Sequence, residues 1–213
     1  MKSIVEDRNN NRVVLTGKVV GAPKYSHEVF GEKFYIVGME VPRLSDACDT
    51  LPIMVSKRMC KIESIKVGNL YEIIGHFRSY NKHEEPKSRL LLTVFTTEMK
   101  ELNAEEFVGK NEIVLHGYLC KEPIYRKTPL GREITDTLLA VNRPYGKSDY
   151  IPCICWGRNA RYISGLEVGT ALEIRGRIQS REYSKKIGEN ESEIRIAYEV
   201  SVSKVDNWYL EEE

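Results

Sequence analysis

Along the carboxyl-terminal half of the chain, apolar and polar residues alternate over short stretches, the period of a strand with one buried face. Asn111 to Leu119 and Arg132 to Asn142 are extended stretches rich in Ile, Val, Leu and Thr. Tyr150 to Trp156, Ala171 to Tyr183 and Ile194 to Val205 follow the same pattern, which gives five strands. One stretch has helical spacing instead: in Arg158 to Ser164, Ala160 and Ile163 stand three apart on one side. Five strands with a short helix between the third and fourth is the order of an OB-fold, a small, partly open Greek-key barrel.

The amino-terminal half repeats this order. At an offset of one hundred, Asn11, Val14, Leu15, Gly17, Pro23, Tyr25, Gly31, Val41, Pro52 and Arg58 recur as Asn111, Val114, Leu115, Gly117, Pro123, Tyr125, Gly131, Val141, Pro152 and Arg158. After a one-residue insertion, Val67, Gly68, Glu72, Ile73, Gly75 and Ser79 recur as Val168, Gly169, Glu173, Ile174, Gly176 and Ser180. So many identities in one order with a single gap mark a duplication. The fold class predicted is therefore all-β, two tandem OB-folds: residues 1–102, a polar linker at 103–110, residues 111–207, and a short acidic end at 208–213. The first unit's short helix falls at Lys57 to Ile65. Gly17 and Gly117 in a first strand, and Gly75 and Gly176 in a fourth, read as the bulges or bends that a small barrel needs at its corners.

With 41% hydrophobic and 30% charged residues the chain sits in the globular range. Its net charge is only +1, so a surface for a polyanion must come from the placement of charges. No apolar run approaches the roughly 20 residues that span a bilayer, and the first residues lack a signal core; a cytoplasmic location and no membrane contact are expected. Five cysteines, three of them isolated, do not make a disulfide framework. Cys153-x-Cys155 has no His or second Cys pair at zinc-site spacing, so neither metal nor cofactor is expected. The chain has no phosphate loop, no metalloprotease His pair and no nucleophile elbow, and His27, His76, His83 and His116 read as surface or core; no catalytic residue is assigned and an enzyme is not expected.

What the second unit does carry is a patterned wall. From Glu173 onward, Arg175, Arg177, Gln179, Arg181 and Tyr183 share one face of the fourth strand, while Leu172, Ile174 and Ile178 share the other. In the third strand Ile151, Cys153 and Cys155 face one way and Tyr150, Ile154 and Trp156 the other. Flat rings for bases beside cations for phosphates are what binding a single nucleic-acid strand without sequence preference requires. Rim packing for the aromatics and plain solvated charge for the cations are the competing readings.

These residues also carry a resemblance. Asn111-Glu112-Ile113-Val114-Leu115-His116-Gly117, Glu122-Pro123, Leu139-Ala140-Val141-Asn142-Arg143, Trp156-Gly157-Arg158-Asn159-Ala160 and Gly176-Arg177-Ile178-Gln179-Ser180-Arg181 resemble the bacterial single-stranded-DNA-binding protein family over nearly all of residues 111–206. The resemblance implies an OB-fold, single-stranded DNA as partner, and stacking aromatics at Tyr145, Tyr150, Trp156 and Tyr183. From the placement of charge, phosphate contacts are expected at Arg143, Lys147, Arg158, Arg175, Arg177, Arg181 and Lys185, with Arg161 and Lys186 as further cations nearby. Four OB-folds per assembly are usual in that family, so a homodimer of this two-unit chain is expected. RNA and replication or repair proteins are further candidate partners. The first unit departs from the pattern: Thr50, Ser56 and about Lys82 stand where Tyr150, Trp156 and Tyr183 stand in the second. It keeps Lys57, Arg58, Lys61, Arg78, Lys82 and Lys87, so it reads as a scaffold or a phosphate track; Phe77 has the parity of the core. Family members commonly end in a long acidic tail, whereas this chain ends in Trp208-Tyr209-Leu210-Glu211-Glu212-Glu213. An alternative function is a primosome-type or replication-accessory protein that acts mainly through protein contacts.

Overall fold

Alternation becomes strand in both halves. The computed structural model describes residues 10–45, 47–84, 87–188 and 192–208, with backbone only at 81–84, 87–89 and 145. In the first unit, β1 (Asn11–Val19), β3 (Glu32–Pro42), β4 (Cys48–Ser56), β5 (Leu70–Glu84) and β6 (Lys87–Leu102) are the five expected strands, and a short β2 (Lys24–Val29) pairs with β3 as a hairpin. The second unit repeats them as β7 (Asn111–Leu119), β8 (Ile124–Lys127), β9 (Glu133–Asn142), β10 (Ser148–Trp156), β11 (Ala171–Lys186) and β12 (Ser192–Asn207). Each barrel closes through a second partner for its first strand, β1 with β3 and β7 with β9.

The helix expected at Arg158 to Ser164 is α1 (Gly157–Ser164), with Ala160 and Ile163 fully buried. Its counterpart at Lys57 to Ile65 is shorter, a single 3-10 turn at Ile62–Ser64. The reason lies in the repeat: Cys60 and Glu63 occupy the places of Ala160 and Ile163, and a glutamate cannot complete an apolar stripe. Only Ile62 of that turn is buried.

Two devices recur in both barrels. The Asn11 amide bonds the backbone of Phe77 at both its N–H and its carbonyl, each at 2.8 Å, and Asn111 does the same to Ile178, again at 2.8 Å. These amides, that of Asn11 buried and that of Asn111 partly so, lock the first strand to the fourth. The ladder also slips by one residue at Ile74/Gly75 and at Arg175/Gly176, the bulges anticipated from the glycines. A Cβ on Gly75 would collide with the Phe95 carbonyl, and one on Gly176 with that of Ser201, so the bend needs the missing side chain.

Strands β1 and β7 then pair antiparallel, from Asn11 opposite Leu115 to Leu15 opposite Asn111, which joins the two barrels into one twelve-stranded sheet. The cores meet there: Leu15, Ile73 and Phe77 of the first unit and Ile113, Leu115 and Ile174 of the second belong to one continuous buried cluster. The stretch expected as a linker is held as well. Lys110 N–H donates to the Thr16 hydroxyl at 2.7 Å and the Lys110 ammonium pairs with Glu72 at 2.7 Å. Among the described residues no helix is long and apolar enough to cross a membrane.

Candidate nucleic-acid interface

Strand β10 fixes two of the expected stacking rings. Ile151, Cys153 and Cys155 face the core and are buried, and burial pushes the Cys155 thiol up to about 12. Because side chains alternate, Tyr150 and Trp156 must then face out; they are 45% and 38% exposed. Gly157 follows at φ +54°, a left-handed conformation that turns the chain from β10 into α1 and leaves the indole at the strand's end. Beside the indole is a hollow lined by Lys127, Arg132 and Glu133. Tyr183 lies on the arm of β11 that projects beyond the barrel, 37% exposed and opposite Arg195 of β12. The side chain of Tyr145 lies outside the described residues; its backbone is in a 3-10 turn, Pro144–Gly146.

The expected cations divide sharply. Arg143 is committed within the protein: its guanidinium donates from two nitrogens to Asp149, from Nε at 2.7 Å, and from Nη2 to the Ser79 carbonyl at 2.7 Å. The Asp149 side chain is fully buried and also takes Arg78 at 3.2 Å and the Ser79 N–H at 2.6 Å, both from the first unit. The mirror image is complete. Arg43 donates twice to buried Asp49, at 2.7 and 2.6 Å, and Asp49 receives the N–H and hydroxyl of Ser180 at 2.7 and 2.9 Å and faces Arg177 at 3.5 Å. Burial alone would raise the Asp49 carboxyl, but hydrogen bonds from Arg43 and Ser180 outweigh it and hold the group below its ordinary range. Arg143 and Arg177, expected on phosphates, therefore serve as bolts between the units.

Farther out, Arg175 pairs with Glu173 at 2.7 Å, and Arg181 with the buried Glu199 at 3.6 Å, a carboxylate that also takes Gln179 at 2.8 Å. Glu173 is held low chiefly by Arg175, with His116 adding to it. Lys147, Arg158 and Lys185 are exposed and have no ion pair among the described residues. Arg161 pairs with Glu133 at 3.2 Å. Lys127 and Arg132, absent from the expected set, flank Trp156 from the hairpin of β8 and β9. No group of three or more His, Cys, Asp or Glu side chains that could hold a metal occurs among the described residues.

In the first unit Thr50 is exposed, and Ser56 is buried against Glu32 and the Arg58 N–H, so neither offers a ring. Phe77 is fully buried, as its parity required. The side chains of Lys82 and Lys87 lie outside the described residues, as do residues 209–213; Trp208 is stacked on His116 with ring centroids 4.9 Å apart.

Known proteins resemble this chain in two ways. Residues 110–205 match the model of the single-strand binding protein family. The single-stranded DNA-binding protein of Halalkalibacterium halodurans is 35% identical over 85 residues, 37% of this chain and 51% of the relative. Single-stranded DNA-binding protein A of Bacillus subtilis is 35% identical over 86 residues, 37% of this chain and 50% of the relative. The chain thus spans about half the length of these relatives. The solved structure of the wild-type single-stranded DNA binding protein from Thermus aquaticus superposes with a TM-score of 0.75 at 19% identity, covering 95% of each chain. At that identity the likeness is one of fold, and it extends over both barrels.

Proposed function

Because residues 110–205 match the model of the single-strand binding protein family, we propose that this chain binds single-stranded DNA without strong sequence preference and protects it during replication, recombination or repair. The observation that carries this reading is the outer wall of the second barrel, where Tyr150, Trp156 and Tyr183 stand exposed among Lys147, Arg158 and Lys185. Rings accept bases by stacking, and cations not already paired with carboxylates accept phosphates at no cost of breaking an internal bond. Contacts of this kind read neither base edges nor the 2′-hydroxyl well, so RNA is a second ligand of the same wall. The protein is a binder rather than an enzyme, it works in the cytoplasm, and a homodimer presents four OB-folds to one strand.

Titration with oligo-dT under tryptophan fluorescence tests the reading. Trp156 is quenched on stacking, whereas Trp208, held on His116, is not. A Trp156→Phe variant therefore loses the quench while still binding. No quench in the wild type together with no mobility shift of the oligonucleotide overturns the proposal.

A further inference from the structure

The first unit has lost the stacking positions, and its fourth strand has exchanged most of its cations as well. Where β11 carries Arg175, Arg177 and Arg181, β5 has Ile74, His76 and Tyr80. The carboxylates of that wall are gone too: Ile36 and Thr93 stand at the places of Asp136 and Glu199, and Leu91 and Phe95 at those of Ala197 and Ser201. The result is a cleft of about 880 Å³ bordered by Tyr25, Ile36, Met54, Tyr80, Leu91 and Phe95. Its lip is shared between the units, with Arg78 from the first barrel and Arg143 and Pro144 from the second. Lys33, Lys57 and Arg58 of the first unit border a separate hollow, and none of them lines the cleft.

We infer that this cleft is a docking site for a partner protein, which inserts a short segment carrying apolar side chains next to a carboxylate. The inference goes beyond strand binding by the second wall and does not depend on it. Three observations carry it. First, a single strand brings one negative charge with every nucleotide, so a wall that follows it needs cations along its length. This wall has replaced a ladder of arginines by uncharged and apolar side chains, and an apolar surface gathered in one place marks a protein contact. Second, the charge that remains is confined to the lip. Arg78 and Arg143 share the single carboxylate of Asp149, which leaves one positive charge, and no carboxylate lines the cleft among the described residues. One cation beside an apolar floor is complementary to one acidic side chain beside apolar ones. Third, the cleft is formed before a partner arrives. Phe95 lies against Phe34 with ring centroids 5.9 Å apart, and Tyr25 meets Tyr35 edge to face at 5.8 Å. The lip is held by Ser79, whose N–H donates to Asp149 at 2.6 Å and whose carbonyl accepts from Arg143 at 2.7 Å. Little ordering is then left to oppose binding.

The test pans a phage-displayed library of random peptides on the full chain. Enriched peptides carry Asp or Glu next to Leu, Ile, Phe or Tyr. In Ile36→Asp with Leu91→Ala their affinity falls by at least about tenfold, the scale of losing a central apolar anchor. Asp136 and Ala197 already occupy these places on the same frame in the second barrel, so the double variant keeps the fold and its affinity for oligo-dT. A second variant reads the lip. Replacing the carboxylate of a selected peptide by its amide weakens binding to the wild type by roughly threefold, and it makes no difference in Arg78→Gln, where β11 has Gln179. No enrichment, or peptides that bind the double variant as tightly as the wild type, overturns the inference. A loss of oligo-dT affinity in the double variant also overturns it and gives the cleft to the strand, and a halved mass in sedimentation gives it to a second copy. Absence of the Trp156 quench with oligo-dT would count against the second wall and leave peptide binding untouched, so the two readings fail separately.

Discussion

The two barrels share a frame and differ in what they show to solvent. Both keep the asparagine lock, the bulge glycines and the Arg–Asp pair that reaches across to the other unit. On the outer wall they part company. The second barrel sets three rings along a ladder whose carboxylates neutralise most of its arginines, while the first buries a serine at the Trp156 place and lines its wall with Tyr80, Leu91 and Phe95. A duplication therefore held the interior and the seam fixed and let the wall diverge. Packing and buried charge tolerate few substitutions, whereas a solvated wall tolerates many.

The seam is where a substitution should do most damage. Asp149→Ala removes a buried carboxylate and leaves the half-buried Arg143 and Arg78 without their anion, and Asp49→Ala strands Arg43 in the same way. Breaking a buried pair by removing one partner costs about 3–5 kcal/mol. Either variant should lose that much in denaturant unfolding, by similar amounts if the seam is symmetric. The acid side gives the sign. The Asp49 carboxyl is held below its ordinary value, so its contribution is present above the unfolded pKa of roughly 4 and is lost as pH falls through the lower folded value. Asp49→Asn should flatten the stability curve below about pH 4 and leave its slope near neutrality unchanged. A curve that keeps its acid limb would show that other carboxylates carry it.

Next in size is the contrast between walls. Stacking contributes about 1–3 kcal/mol per base, so Trp156→Ala should weaken oligo-dT binding by roughly one to two orders of magnitude. Ser56→Ala, at the matching place, should leave binding unchanged. Equal losses at both places would erase the distinction between the units.

Much of this was legible beforehand, and the gaps have physical causes. The repeat, the strand order, the core parity of Phe77 and the outward parity of Tyr150 and Trp156 all follow from periods of two and one hundred in the sequence. The fate of the arginines does not, because alternation says which face a side chain takes but not which carboxylate from a distant strand meets it. A signal was nevertheless there: Arg43 and Asp49 recur at the same offset as Arg143 and Asp149, and a repeated opposite-charge pair beside buried strand positions points to structure before ligand. The cleft of the first unit bordered by Tyr25, Tyr80 and Phe95 had no such signal, since it is assembled from five strands and a lip of the other barrel.

The smallest effect separates paired from unpaired cations. Each phosphate neutralised on a single strand contributes about 0.7 to the slope of log affinity against log salt. Lys147 and Arg158 are exposed, with no ion pair among the described residues, so replacing both with Ala should reduce the slope by about 1.4. Arg175 and Arg181 already face Glu173 and Glu199, and a phosphate would have to compete with those carboxylates. Replacing that pair should change the slope by less than about half as much, and removing Arg181 also leaves the buried Glu199 with Gln179 as its remaining hydrogen-bond donor. A larger slope change from Arg175 and Arg181 than from Lys147 and Arg158 would mean that the strand displaces the carboxylates, and that the ion pairs on the ladder are a resting arrangement which the nucleic acid replaces.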